Sequence, residues 1–164
     1  MIRSATVADA QALCAIYNPF ILQSTVTFEE AAITSDDMAA RIGAYAGQLP
    51  FLVAELDGVA AGYAYAAPWK SRSAYRHTVE SSVYVAPGYT GMGLGSRLYQ
   101  ALLQDLRERD VHAVLAGIAL PNSASIGLHE AFGFTKVGQM REVGRKFGQW
   151  LDVGYWQLVL APQP

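Results

Sequence analysis

A mixed α/β fold, in one domain spanning residues 1–164, is what the sequence predicts, on three observations. Strand-like apolar runs alternate with amphipathic helical patterns, as expected of a central sheet flanked by helices. Two hairpin-like stretches interrupt that alternation, so the sheet is mixed rather than purely parallel. The chain is also 52% hydrophobic and only 16% charged, without repeat, low-complexity tract or linker, which suits one hydrophobic core.

The elements follow in order. Residues 2–4 read as a short opening strand. Thr6 and Asp9 resemble a capping box, after which Ala10, Leu13, Tyr17 and Phe20 recur at helical spacing. Residues 24–32 have no helical period and read as a loop carrying Phe28, Glu29 and Glu30. Thr34, Asp36 and Asp37 supply a cap and first-turn acids for a second helix, expected to run to about Gly47. Asp57-Gly58 is a strong hairpin signal between strands at 51–55 and 59–67. A basic and aromatic stretch (Trp69, Lys70, Arg72, Tyr75, Arg76, His77) leads into a strand at 78–86. Leu94, Leu98, Leu102 and Leu106 share one face of the next helix. A strand at 111–120, a short helix from Pro121-Asn122 to a C-cap at Gly133, and strands at 134–143 and 153–160 complete the pattern. Residues 144–152 are expected to form a loop with Lys146, Phe147 and Trp150.

Charge and composition narrow the function. A formal net charge of −2 argues against a nucleic-acid partner, which calls for a basic face. No apolar run approaches a membrane span, and the N-terminus lacks the basic and apolar regions of a signal peptide. The single cysteine, Cys14, lies in an apolar helical stretch; it reads as a buried small residue and suits a reducing cytoplasm. His77, His112 and His129 are scattered without paired ligand spacing, so no metal site is expected.

The most informative stretch is Tyr84-Val-Ala-Pro-Gly-Tyr-Thr-Gly-Met-Gly-Leu-Gly-Ser96. Gly91, Gly93 and Gly95 join a strand to a helix, leaving unpaired N–H groups at the helix N-terminus where phosphate oxygens bind. A nucleotide-hydrolase phosphate loop requires Lys and Ser/Thr after its last glycine, but Ser96-Arg97 stand there. A dinucleotide fingerprint requires a third glycine at position 96. What remains is a turn that holds a pyrophosphate without a metal.

Thr90-x-x-Gly93-x-Gly95 resembles the acetyl-CoA motif of the GNAT N-acetyltransferase superfamily, and residues 122–134 resemble its following Asn-to-Gly-Phe helix. Three stretches are similar, more narrowly, to the phosphinothricin and methionine sulfoximine N-acetyltransferases. These are Tyr75-Arg-His-Thr-Val-Glu-Ser-Ser-Val-Tyr-Val85, Leu128-His-Glu-Ala-Phe-Gly-Phe134 and Val143-Gly-Arg-Lys-Phe-Gly-Gln-Trp-Leu-Asp152. The resemblance implies a GNAT fold with acetyl-CoA between two splayed strands of its sheet, a small amino-acid-like acceptor and a homodimer. It also implies that main-chain groups of Val83, Tyr84, Val85, Gly91, Met92, Gly93, Leu94, Gly95 and Ser96 hold the cofactor, with Asn122 and Ser125 on its pantetheine arm. One departure stands out. Thr90 occupies the position of a usual Gln or Arg, which shortens or removes a side-chain contact to the pyrophosphate and lowers the expected affinity.

Acetylating an amine needs a base for the ammonium, donors for an oxyanion and a proton for the thiolate. Glu80 sits in an apolar strand-like run, where desolvation raises a carboxylate's pKa towards a base's range; the resemblance places the family's proposed catalytic glutamate there. His129 shares a helix face with Asn122 and Ser125, and by the same resemblance is the candidate acid. For the acceptor, Arg72 and Arg76 can clamp a carboxylate or phosphinate by paired hydrogen bonds. Phe28 and Glu29 match a loop that covers the substrate, with Tyr75 as a pocket wall. Two alternatives stay open. One acetylates a protein N-terminus or another amine, although a polyamine acceptor would want an acidic pocket rather than Lys70, Arg72 and Arg76; the other is a non-catalytic acyl-CoA-binding module, which Glu80 disfavours.

Overall fold

The computed structural model describes residues 1–160. One seven-stranded sheet, ordered β1-β2-β3-β4-β5-β7-β6, runs through it. The strands are β1 (Ile2–Ser4), β2 (Phe51–Leu56), β3 (Val59–Pro68), β4 (Thr78–Val85), β5 (Ala113–Ala119), β6 (Thr135–Lys146) and β7 (Gln149–Val159). The helices are α1 (Ala10–Gln23), α2 (Ser35–Tyr45), α3 (Leu94–Arg107) and α4 (Ser123–Ala131). Neighbours pair antiparallel except β4 and β5, which are parallel and joined through α3. That single crossover is the mixed character the sequence predicts.

Local chemistry sets the helix starts. Thr6 N–H donates to Asp9 Oδ2 at 2.7 Å ahead of α1, and Thr34 Oγ1 accepts from Asp37 N–H at 3.1 Å ahead of α2. Asp57 and Gly58 both have positive φ, 50° and 77°, as a two-residue hairpin between β2 and β3 demands.

The sheet has a core on each face. Leu94, Leu98, Leu102 and Leu106 of α3 pack with Val79, Val114, Ala116 and Trp156 on one side. Leu13, Ile16, Tyr17 and Ile21 of α1 pack with Met38, Ile42, Val53 and Tyr63 on the other. Burying each such Leu or Ile contributes roughly 1.5–3 kcal/mol of transfer free energy. Cys14 is buried in the second core, its thiol donating to the Thr34 carbonyl at 3.1 Å, and burial pushes its pKa up. It is a packing residue, as its sequence context suggests.

The expected loop at 144–152 is corrected. β6 continues to Lys146 and β7 begins at Gln149, leaving only Phe147 and Gly148 as the turn, with φ of 50° and 74°. The positive φ at both turn residues is the geometry that joins two strands with right-handed twist. β6 reaches this turn through irregular pairing between Met140 and Gly144, where Asp152 accepts from the Glu142 N–H and the Gln139 amide, both at 2.8 Å. That bulge hides the strand period from sequence reading.

Candidate active site

β4 and β5 pair at three positions only: Thr78 with Ala113, Val79 with Val114, and Glu80 with Leu115. Beyond Glu80 they part, while β4 stays paired with β3 up to Val85. The gap opens a cleft of about 280 Å³ in the middle of the sheet. Ser81, Ser82, Val83, Tyr84 and Val85 line it from β4, Ala116 to Ala119 from β5, and Asn122, Ser125, Leu128 and His129 from α4 and its cap. Peptide groups on the facing edges have lost their sheet partners. This is polar main chain inside an apolar wall.

At one end of the cleft stands the glycine turn. Gly91 and Gly93 have φ of 78° and 73°, and Gly93 caps α3 in the left-handed conformation. A side chain at either position would be strained. Gly95 lines the cleft itself; a Cβ there would meet Leu128 Cδ2 at 3.6 Å, so α3 rests closely on α4. Arg97 N–H, bonded to the Gly93 carbonyl at 3.1 Å, is the first helical bond of α3. The amides of Leu94, Gly95 and Ser96 precede it and have no acceptor within the helix. Met92 is exposed at the tip of the turn. Thr90 lines the cleft, but its hydroxyl donates back to the Pro87 carbonyl at 3.0 Å. Its side chain closes the turn rather than reaching outward.

Glu80 is the last β4 residue paired with β5, at the apex where the strands diverge. It is partly buried, and desolvation raises its pKa, opposed by the nearby charge of Lys70 and by the Gly117 N–H. Gly117 is closely approached: a Cβ would lie 3.1 Å from Glu80 Oε1 and 3.2 Å from Tyr155 Cε1, so both would have to give by a few tenths of an ångström. Tyr155 stands edge-on to Trp69, centroids 5.4 Å apart, and Lys70 Nζ lies 4.8 Å from the Trp69 ring centre. A half-buried carboxylate thus faces an aromatic corner with one cation near its rim. Such a place suits a base for an amine.

His129 is buried, and both its ring nitrogens are engaged. Nδ1 lies 2.7 Å from the Ser125 carbonyl, which can only accept, so Nδ1 carries the proton. Nε2 then accepts from the Tyr99 hydroxyl at 2.7 Å, and Tyr99 in turn accepts from Ser81. Burial lowers the His129 pKa, and the Ser125 carbonyl opposes this. Neutral His129 has no proton on Nε2 to give. Asn122 caps α4, its Oδ1 accepting from Ser125 N–H at 3.1 Å, and also lines the cleft.

The remaining expected site residues divide into two groups. Tyr84 lines the cleft while its ring packs among Tyr17, Phe20 and Tyr63, centroids 4.9–5.4 Å away. Phe28 and Glu29 lie on the segment between α1 and α2; Glu29 is held by both Arg41 guanidinium nitrogens and by the Tyr17 hydroxyl. That set lowers the Glu29 pKa, first through Arg41, and burial with the Glu29 contact pushes Tyr17 up to about 12. Arg72, Tyr75 and Arg76 fall on an exposed turn before β4, and Arg76 donates to the Ser73 carbonyl of that same turn at 3.1 Å. None of these three lines the cleft. Sequence reading missed Tyr99, Ser81, Gly117 and Tyr155. An isolated glycine inside the strand at 111–120 was a legible sign of close approach.

No group of three or more His, Cys, Asp or Glu side chains among the described residues is arranged to hold a metal ion. None of the described helices is long and apolar enough to cross a membrane.

Comparison with known proteins places the chain in a family. The family model for an acetyltransferase (GNAT) domain matches residues 2–154. A phosphinothricin N-acetyltransferase of Streptomyces viridochromogenes is 47% identical, over 99% of this chain and 91% of its own. An L-methionine sulfoximine/L-methionine sulfone acetyltransferase of Salmonella typhimurium is 42% identical, over 97% of this chain and 94% of its own. A solved acetyltransferase structure from Salmonella typhimurium, with its cofactor acetyl-CoA, superposes with a TM-score of 0.96 at 40% identity, covering 100% of this chain and 95% of that one.

Proposed function

The chain belongs to the GNAT family of acetyl-CoA-dependent acetyltransferases, and from that premise we propose that it acetylates the α-amino group of a small amino-acid-like molecule of the phosphinothricin, methionine sulfoximine or methionine sulfone type. The observation that carries the reading is Glu80, a partly buried carboxylate at the apex of the β4–β5 divergence.

The site fits the cofactor through its main chain. The first-turn amides of α3, from Leu94 to Ser96, point an unsatisfied N-terminus at the cleft end, where a pyrophosphate is stabilised. Gly91, Met92 and Gly93 let the backbone approach it. Peptide groups of Val83, Tyr84 and Val85 offer the ladder that a pantetheine arm can join, with Asn122 and Ser125 on the opposite wall. Bound acetyl-CoA supplies an activated thioester carbonyl at the apex.

Glu80 takes the proton from the acceptor's ammonium, directly or through water, and frees the lone pair for attack. Unpaired amides of β4 donate to the carbonyl oxygen as charge gathers on it; the C–S bond then breaks, and the departing thiolate takes up through water the proton that the new amide nitrogen gives up. Tyr155 and Trp69 wall the acceptor side and keep water from Glu80. Lys70 offers a cation for the acceptor's carboxylate or phosphinate; Arg72 and Arg76 on their exposed turn are a second clamp for the same anionic end. His129 acts as a fixed hydrogen-bond acceptor that orients Tyr99 and Ser81 along the cleft wall, because its neutral tautomer holds no donor towards the cleft.

Thiol release from acetyl-CoA, followed with a panel of amines, tests the reading. Turnover with methionine sulfone or phosphinothricin but not with polyamines or peptides is expected; release that no amino acid stimulates refutes it. A homodimer is part of the proposal. All of residues 135–143 on the edge strand β6 are exposed, Val137, Met140 and Val143 among them, with Phe147 and Trp150 close by. Light scattering on the eluted protein reads the mass directly. A cytoplasmic setting suits the single buried thiol of Cys14.

A further inference from the structure

The segment between α1 and α2 has no regular structure and lies near the Glu80 side of the sheet, where the charges of Glu29 and Glu80 both reach Tyr65; it is fixed at two polar residues, Thr27 and Glu29. Thr27 Oγ1 lies 2.7 Å from the Tyr17 hydroxyl, and Glu29 is gripped by Arg41 and Tyr17. Between them Phe28 is left 39% exposed, and Val26 lines the cleft.

The far end of β6 reaches across to this segment. Lys146 is only 2% exposed, although the nine residues at 135–143 of the same strand are all exposed. Its Nζ donates to the Thr27 carbonyl at 2.8 Å, a contact 119 residues apart in sequence. Lys146 joins none of the ion pairs formed by the described residues; burial lowers its pKa, opposed by the nearby charges of Glu30 and Glu29. An ammonium is a costly group to bury merely to close a turn, since a methionine would pack there without desolvating a charge. Two residues earlier, the Phe28 ring lies on Gly144. A Cβ at Gly144 would fall 2.2 Å from Phe28 Cε2, and the Gly144 backbone has no positive φ, so a side chain there would act by displacing the Phe28 ring.

We propose that Gly144 and Lys146 are positioning residues for the acceptor: from the β6–β7 hairpin they fix the Thr27–Phe28 backbone and ring, and so set how tightly the amino-acid substrate is held. The inference rests on the N-acetyltransferase reading above. A merely structural hairpin would lower stability and affect both substrates alike. A positioning one raises KM for the acceptor while leaving KM for acetyl-CoA in place, because Phe28, Gly144 and Lys146 stand outside the lining of the cleft proposed for the cofactor.

The test is a double-mutant cycle of Gly144→Ala with Phe28→Ala, assayed by thiol release with each substrate varied in turn. Gly144→Ala is expected to raise the acceptor KM about tenfold, within the usual span of coupled neighbours, and to do so only while Phe28 is present. Lys146→Met, which leaves the Gly144–Phe28 contact untouched, is expected to raise the acceptor KM in the same sense and carries the test if Gly144→Ala unfolds at the assay temperature. An equal rise in both KM values overturns the proposal. So does a Gly144→Ala effect that persists undiminished in the Phe28→Ala background. Unmodified enzyme that releases no thiol with any amino acid sinks the parent reading instead, and the two failures are thereby told apart.

Discussion

The two halves of the proposed active site are built from different materials. The cofactor half, from the β4–β5 divergence to the α3 N-terminus, is made of main chain: strand edges, first-turn amides and two glycines with positive φ. The acceptor half is made of side chains drawn from distant places: Glu80 on β4, Tyr155 on β7, Trp69 and Lys70 after β3, and Phe28 held from β6. A main-chain site depends on backbone conformation and tolerates many side-chain changes. A side-chain site depends on long-range packing, so single substitutions can redirect it.

The sharpest break is expected at the junction. Glu80→Gln keeps the shape and removes the base, and kcat should fall by about 10²–10⁴-fold with little change in acetyl-CoA affinity. Because burial raises the Glu80 pKa, kcat/KM of the unmodified enzyme should fall as pH drops through that raised value, above the ordinary carboxylate range. His129→Gln should leave this acid limb in place, since the limb belongs to Glu80; its disappearance would move the base role from Glu80 to His129.

Gly117→Ala comes next. Its methyl group would press on Glu80 Oε1 and Tyr155, and kcat should fall about tenfold while calorimetry finds acetyl-CoA binding intact. A matched loss of cofactor binding would erase the distinction between the halves. Gly93→Ala tests the other half. Holding alanine in the left-handed region costs about 1–2 kcal/mol, so the acetyl-CoA Kd should rise up to about tenfold at an unchanged acceptor KM. Thr90→Gln gives the smallest effect. Loss of the Pro87 contact loosens the turn while a longer amide reaches the pyrophosphate, and a tightening of Kd of about two- to threefold is expected by titration.

Legibility in the sequence follows the same division. The glycine turn, the Asp57-Gly58 hairpin, both capping boxes and the Leu94-to-Leu106 stripe are local signals, and each stands where its residues imply. The gap between β4 and β5 came only through family resemblance, because nothing in the residues at 81–85 or 116–119 marks a missing pair. Glu80 stood out as a carboxylate in an apolar run, but alternation alone reads it as a strand glutamate on a solvated face, and family resemblance made it the candidate base. Tyr99 was not legible: one position after Leu98, it looks like more core until its hydroxyl is found between Ser81 and His129. The contact of Lys146 with Thr27 was beyond reach, since a period-two reading of 135–146 fails across the bulge at Glu142. Arg72 and Arg76 were read as pocket residues from their charge and from the family's substrate loop; both lie on an exposed turn, and neither charge nor position in the sequence says which way their side chains point.

The parting of β4 from β5 has a dynamic corollary. Every second peptide N–H after Glu80 on β4 points away from β3 into the opening, so it sits at the centre of a sheet yet is paired only with solvent. In deuterium oxide those protons should trade within the fast regime typical of loops, while their immediate neighbours, bonded to β3, stay shielded. Adding the thioester ought to abolish the alternation, turning a comb of slow and quick exchangers into one uniformly protected strand.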